Sequence, residues 1–334
     1  MISLILTTNF SAPAAPQQAE LYLPESTESF TDGLLHILKT AFIHVAPELT
    51  NAAQICLSLI AIVFLIFLIS SFSGVTKTVT NLVGAVSVSL LLIESSRVLI
   101  SLGIETVEVL SEYGKLLLPV MATALAAQGG TASSAALYTG TAVFNTGLTL
   151  ILSKLLIPAI YIYIAICIAN SVMKQDILLN INKFLKWFMT WTLKIIIYVF
   201  TGYISITGVI SGTVDAAALK ATKITISGAV PVVGSIISDA SETILVSAGM
   251  VKNSVGVYGL FVILSLWIGP FLQIAVHYLL LKLTGGICSV FGKHSTLDLI
   301  HEFTTVMGFL LAATGVMCLL LLITTVCFMR GVTV

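Results

Sequence analysis

An all-α polytopic membrane protein is the fold class this sequence predicts, and three observations predict it. Apolar residues make up 57% of the 334 and charged residues only 9%, against about 45–50% and about 25% in a soluble globular domain. Mean hydropathy is +1.09. Stretches long and apolar enough to cross a hydrocarbon core, at about 20 residues each, recur along the chain. Such a sequence lacks the polar surface to hold 35.4 kDa in water, which excludes a soluble enzyme. Fifteen basic and fifteen acidic side chains cancel, so no basic field draws in nucleic acid.

In chain order, Met1 to Leu6 is apolar and Ser11-Ala12-Pro13-Ala14-Ala15 is small. This reads as the remnant of a signal peptide, although no basic residue precedes the apolar run. Residues 16–50 carry Glu20, Glu25, Glu28, Asp32 and Glu48, with an amphipathic patch from Leu34 to Val45. Segment 1–50 is therefore expected to be extracytoplasmic and 51–330 to be the membrane domain. Six spans are expected, at 53–72, 79–103, 154–173, 187–210, 257–282 and 303–328. Between them, 116–152 and 211–256 are rich in Gly, Ala, Ser and Thr and broken by proline, and these read as two Gly/Pro-broken helical hairpins.

Orientation follows from the basic residues of short loops. With the N-terminal segment outside, Lys77, Lys174, Lys183, Lys186, Lys282 and Lys293 all fall on the cytoplasmic side, against Asp176 and Asp298. Trp187 and Trp191 then form an aromatic anchor at that interface. Segments 104–133 and 211–254 fall outside, with the acids Glu105, Glu108, Glu112, Asp215, Asp239 and Glu242.

Sliding the chain by 112 residues places Pro119-Val120 on Pro231-Val232, Ile151-Leu152-Ser153 on Ile263-Leu264-Ser265 and Pro158 on Pro270. An internal parallel repeat, with units about 75–173 and 187–285, is one reading, and coincidence in low-complexity apolar sequence is the other. Matched Gly/Pro-interrupted segments in two halves point to a substrate path in transporters, but they also serve close helix packing.

No catalytic constellation emerges. Gly286 to Ser295 only imitates a phosphate loop, since His294 stands where a magnesium-binding hydroxyl is needed. His301-Glu302 begins like a zinc-protease helix, yet Thr305 replaces the second histidine. Cys56, Cys167, Cys288, Cys318 and Cys327 have no metal-ligand spacing and read as packing residues. No cofactor or metal is expected. Ionisable groups inside spans are costly and mark function by default. Three such residues stand out: Glu94 and Arg97, which can pair on one helical face, and Lys194, which needs a partner on another helix or must snorkel. The richest stretch carries Asp215, Lys220, Lys223, Asp239, Glu242 and Lys252 around a break at Pro231 and Gly234. These eight positions are the candidate path or partner contacts, and the alternative for them is a hairpin lying on the membrane surface.

The run Asp215-Ala-Ala-Ala-Leu-Lys220-Ala-Thr-Lys223, with Pro231-Val-Val-Gly234, Ser238-Asp239-Ala-Ser-Glu242-Thr and Lys252-Asn253-Ser-Val-Gly256, closely resembles the stage III sporulation protein AE family of endospore-forming bacteria. Leu118-Pro119, Gly129-Gly130 and Pro270 also fit, and the resemblance extends over roughly residues 30–330. The N-terminus departs from the family pattern. The resemblance implies a multi-pass protein of the mother-cell membrane around the forespore. It implies assembly with other products of the same operon, including a secretion-type ATPase, and with a forespore-side partner. The implied complex is a non-enzymatic channel linking mother cell and forespore, needed for forespore development. The alternative, drawn from the sequence pattern, is a stand-alone small-molecule permease using the repeat interface.

Overall fold

A computed structural model describes the backbone of residues 12–24, 30–72, 77–229, 234–291 and 295–330. Within those ranges the side chains of 72, 77–78, 81, 204–249, 251–252 and 295 lie outside the description. Among the described residues every regular element is a helix. A short α1 (Gln17–Glu20) precedes the long α2 (Phe30–Phe72) and α3 (Lys77–Ala127). Next, α4 (Thr131–Ile151) passes through a π-helical turn (Leu152–Leu156) into α5 (Ile157–Met173). The chain continues through α6 (Asp176–Ala229) and α7 (Gly234–Cys288), a 3₁₀ turn (Ser289–Phe291) and α8 (Ser295–Arg330).

Six helical stretches are long and apolar enough to span a membrane: Phe30–Ser71, Leu82–Ala127, Thr131–Met173, Asp176–Tyr203, Asn253–Phe291 and Thr296–Arg330. Each contains or overlaps one of the six expected spans. The apolar cores of these runs leave the backbone no solvent partner in lipid, so helix is the state that satisfies it.

The packing follows from a few contacts. Phe30 stacks on Phe261 with ring centroids 5.1 Å apart, and Phe64 meets Phe291 at 5.5 Å, so α2 and α7 run parallel. Gly103 faces Leu310 and Gly114 faces Leu321, so α3 and α8 also run parallel. These four helices form the centre, with α4 and α5 packed against α3 and α8, and α6 packed against α4, α5, α7 and α8. The C-terminal end of α2, residues 174–175 and the 3₁₀ turn Ser289–Phe291 gather at one end. Phe291 touches Phe64 and Phe67 there, Gly84 approaches Ile66 and Thr296, and Lys186 reaches Thr305. Small residues let the backbones close up, and Gly259 receives the Leu117 side chain in this way. Between α3 and α4, Asn145 Nδ2 donates to the Ser111 carbonyl at 3.1 Å and the Thr149 hydroxyl donates to the Ser111 hydroxyl at 2.8 Å. Such interhelical hydrogen bonds contribute about 0.6–2 kcal/mol each in a membrane.

Several expectations change. The second span does not end at residue 103, because α3 continues unbroken to Ala127 with Pro119 inside it. Glu105, Glu108, Glu112 and Lys115 are good helix formers, and residues 104–127 are helical, not a loop. In 116–152, a turn at 128–130 separates two arms, each continuous with a flanking span. Gly129 sits there at φ 93°, a conformation that suits glycine. Shifted by 112 residues, Gly129 falls on Ser241, inside the helical backbone of α7. The two segments therefore do not share a break at that place. The π turn before Pro158, where the Ile157 N–H donates to the Leu152 carbonyl, likewise has no counterpart before Pro270, which lies within α7. Pro231, the other matched proline, lies outside the described residues.

Candidate functional site

One face of α3 is a polar stripe. Glu94, Arg97, Ser101, Glu105, Glu108, Glu112 and Lys115 are all exposed, and their spacing of three or four keeps them on one side of a helix. The opposite side buries Leu92, Leu99, Ile100, Leu110, Tyr113 and Leu117 in the core. From Glu94 to Lys115 the stripe is about 32 Å long at 1.5 Å per residue, close to the thickness of a hydrocarbon core. Its depth can be read from α8. The parallel register set by Gly103–Leu310 and Gly114–Leu321 puts Glu105, Glu108 and Glu112 level with residues 312–319, which carry no charge. The lower part of the stripe, with Glu94, Arg97, Ser101 and Glu105, borders an open depression of about 740 Å³. The N-terminal segment reaches this face, where Gln18 Nε2 donates to Glu105 Oε1 at 3.4 Å.

Of the intramembrane charges expected to matter, Glu94 and Arg97 share this face, but among the described residues neither forms an ion pair. Lys194 stands on α6, exposed, with no hydrogen bond or ion pair among the described residues, and it lines a different concavity. Pro231 lies outside the described residues. Gly234, Asp239, Glu242 and Lys252 fall on the α7 helical backbone, and Asp215, Lys220 and Lys223 on that of α6. Their side chains also lie outside the described residues.

The second feature joins α5, α6 and α8. The buried Tyr163 donates its hydroxyl to Glu302 Oε2, which also pairs with Lys186 Nζ at 4.0 Å. The Lys186 ammonium donates to the Thr305 hydroxyl at 3.3 Å, and nearby the buried Asn182 donates to Cys167 Sγ at 3.0 Å. This knot ties the three helices near the end where the basic turns collect. Beside it, an open groove of about 700 Å³ runs between α6, α7 and α8, lined by Lys186, Lys194, Lys282 and His301 and by apolar residues farther along.

Neither feature resembles a catalytic centre. Among the described residues no three His, Cys, Asp or Glu side chains are placed to hold a metal ion. The knot escaped the sequence reading because Glu302 was weighed only against a protease motif. The stripe escaped it because Glu105, Glu108 and Glu112 were assigned to a loop. Their three-and-four spacing was the available signal.

The chain matches the family described as Stage III sporulation protein AE over residues 24–331. The Stage III sporulation protein AE of Bacillus subtilis (strain 168) is 21% identical to it over 248 residues, covering 74% of this chain and 62% of that relative. The chain therefore corresponds to less than two thirds of that relative's length. No solved structure matches. With the family pattern extending over all six candidate spans and the stripe on α3, this chain belongs to the stage III sporulation protein AE family.

Proposed function

We propose that the protein is a non-enzymatic component of a membrane channel complex between mother cell and forespore, and that the α3 stripe faces a water-filled path within that complex. One observation carries this reading. Six charged side chains and a serine occupy one exposed helical face about 32 Å long, level in part with the uncharged stretch 312–319 of α8. A charge at a helix centre costs about 2.5–3.5 kcal/mol against lipid on the lenient scale, so that face needs water or a protein partner. The concentration of Lys174, Lys183, Lys186 and Lys282 at one end supports placing that end in the cytoplasm of the mother cell. The membrane is the one surrounding the forespore, and the partners are other products of the same operon, including a secretion-type ATPase, with a counterpart on the forespore side. This chain has no phosphate-binding loop of its own, in keeping with energy supplied from elsewhere.

The test is a triple variant, Glu105→Ala with Glu108→Ala and Glu112→Ala, in a sporulating host. Membrane abundance should match the wild type while heat-resistant spores fall sharply and development stops after engulfment. Wild-type spore counts would remove the stripe from the mechanism. Solute transport by the purified chain alone in liposomes would favour a stand-alone permease instead.

A further inference from the structure

We infer that the groove between α6, α7 and α8 is a binding site for an anionic phospholipid, with its phosphate held by Lys186, Lys282 and His301 and an acyl chain lying along Gly308, Ala312 and Val316. The lining is divided along its length. On α8 the face runs His301, Thr305, Gly308, Ala312 and Val316, a spacing of three or four that keeps these residues on one side. Polar groups occupy the end near the helix turns, and small apolar ones continue toward the membrane interior. On α6 the lining runs from Lys186 and Thr190 to Leu193 and Ile197, with Lys194 as the one charge in its deeper part. A soluble anion needs only the first part of such a groove; an amphiphile fits both.

Charge favours an anion. Among the described residues, three lysines and a histidine line the groove and no carboxylate does. The nearby Glu302 is already engaged by Tyr163 and Lys186. Lys282 Nζ lies 5.5 Å from the centre of the Tyr278 ring, which holds the ammonium at the groove edge. Lys194 sits two turns deeper than Lys186 on the same face, about 12 Å along the axis. Its long apolar stem can lie on the groove wall while the ammonium turns toward a headgroup phosphate. Basic pockets between membrane helices on the cytoplasmic side take up anionic headgroups in this manner, each lysine contributing about fivefold in affinity.

The experiment places the full chain in phosphatidylcholine nanodiscs carrying a trace of spin-labelled phosphatidylglycerol or spin-labelled phosphatidylcholine, and compares the immobilised fractions. The wild type should prefer phosphatidylglycerol. Lys194→Gln with Lys282→Gln should lower that preference by about 25-fold, fivefold per lysine. These two leave the Lys186–Glu302 pair intact. Gly308→Leu should weaken binding with no change in charge. A Cβ at Gly308 meets Tyr278 only at 3.6 Å, an ordinary contact, so the substitution starts without a clash at the helix pair. Equal immobilisation of the two lipids, or an undiminished preference in the lysine double variant, would overturn the inference. Displacement of the lipid signal by millimolar inorganic phosphate would also overturn it, by showing that the groove takes a free anion.

Discussion

Gly140 and Gly147 lie two turns apart on α4, on the same side of the helix, and the structure predicts opposite responses to the same added methyl group. A Cβ on Gly147 meets nothing within 4 Å. Gly147→Ala should therefore be neutral or stabilise the protein by up to about 1 kcal/mol through helix propensity. A Cβ on Gly140 would instead overlap the hydroxyl and ring of Tyr203, which crosses from α6. That tyrosine donates to the Ala136 carbonyl at 2.5 Å, and its ring lies 5.2 Å from that of Phe144. Displacing it forfeits a hydrogen bond of about 1 kcal/mol and an aromatic pair of about 0.5–1.5 kcal/mol. Overpacking adds about 1–3 kcal/mol, so Gly140→Ala should lose about 2–4 kcal/mol after the propensity gain. Equilibrium unfolding in mixed micelles reads both variants. A double-mutant cycle sharpens the test: once Tyr203→Ala has removed the ring, Gly140→Ala should cost nothing further. Equal effects of the two glycine variants, or additivity in the cycle, would refute the α4–α6 contact.

Two further outcomes follow from local geometry. Lys174 caps α5 in the left-handed region at φ 49° and ψ 46°, so Lys174→Gly should stabilise the protein by about 1 kcal/mol, measurable by the same unfolding assay. Glu302→Ala should cost about 1–3 kcal/mol by leaving the buried Tyr163 hydroxyl without its acceptor, whereas Glu302→Gln, which keeps an acceptor, should cost about 1 kcal/mol. The half-exposed Lys186 contributes little to that difference, and Tyr163→Phe should abolish most of the gap between the two variants.

What could be read in advance divides along physical lines. The spans were legible because a charge-free run such as Ala53 to Ser71 has one stable state in lipid. The continuation of α3 past Gly103 was not, because Glu105, Glu108 and Glu112 resemble the polar end of a span when only composition is weighed. Their helical phase was visible, but the exposure of that face depends on α8 and α4 covering the other one. The turn at 128–130 was partly legible from Gly129-Gly130. The matching of Pro158 with Pro270 misled, since one proline follows a π turn and the other sits inside a long helix. The lysine groove was beyond any one-dimensional reading, because Lys194, Lys282 and His301 come from three helices and meet only through packing.

The placement of the α3 stripe against water is tested most directly by cysteine accessibility in assembled sporangial membranes, in a background without the five native cysteines. Single cysteines at Arg97, Ser101, Glu105, Glu108 and Glu112 should react with a membrane-impermeant thiol reagent. Cysteines at the exposed apolar positions Leu57 and Leu65 of α2 and Ile162 of α5 should not. Reaction that follows the three-and-four spacing of the stripe is the predicted result. Uniform labelling of both sets, or protection of every stripe position in the assembled complex, would contradict a water-facing α3.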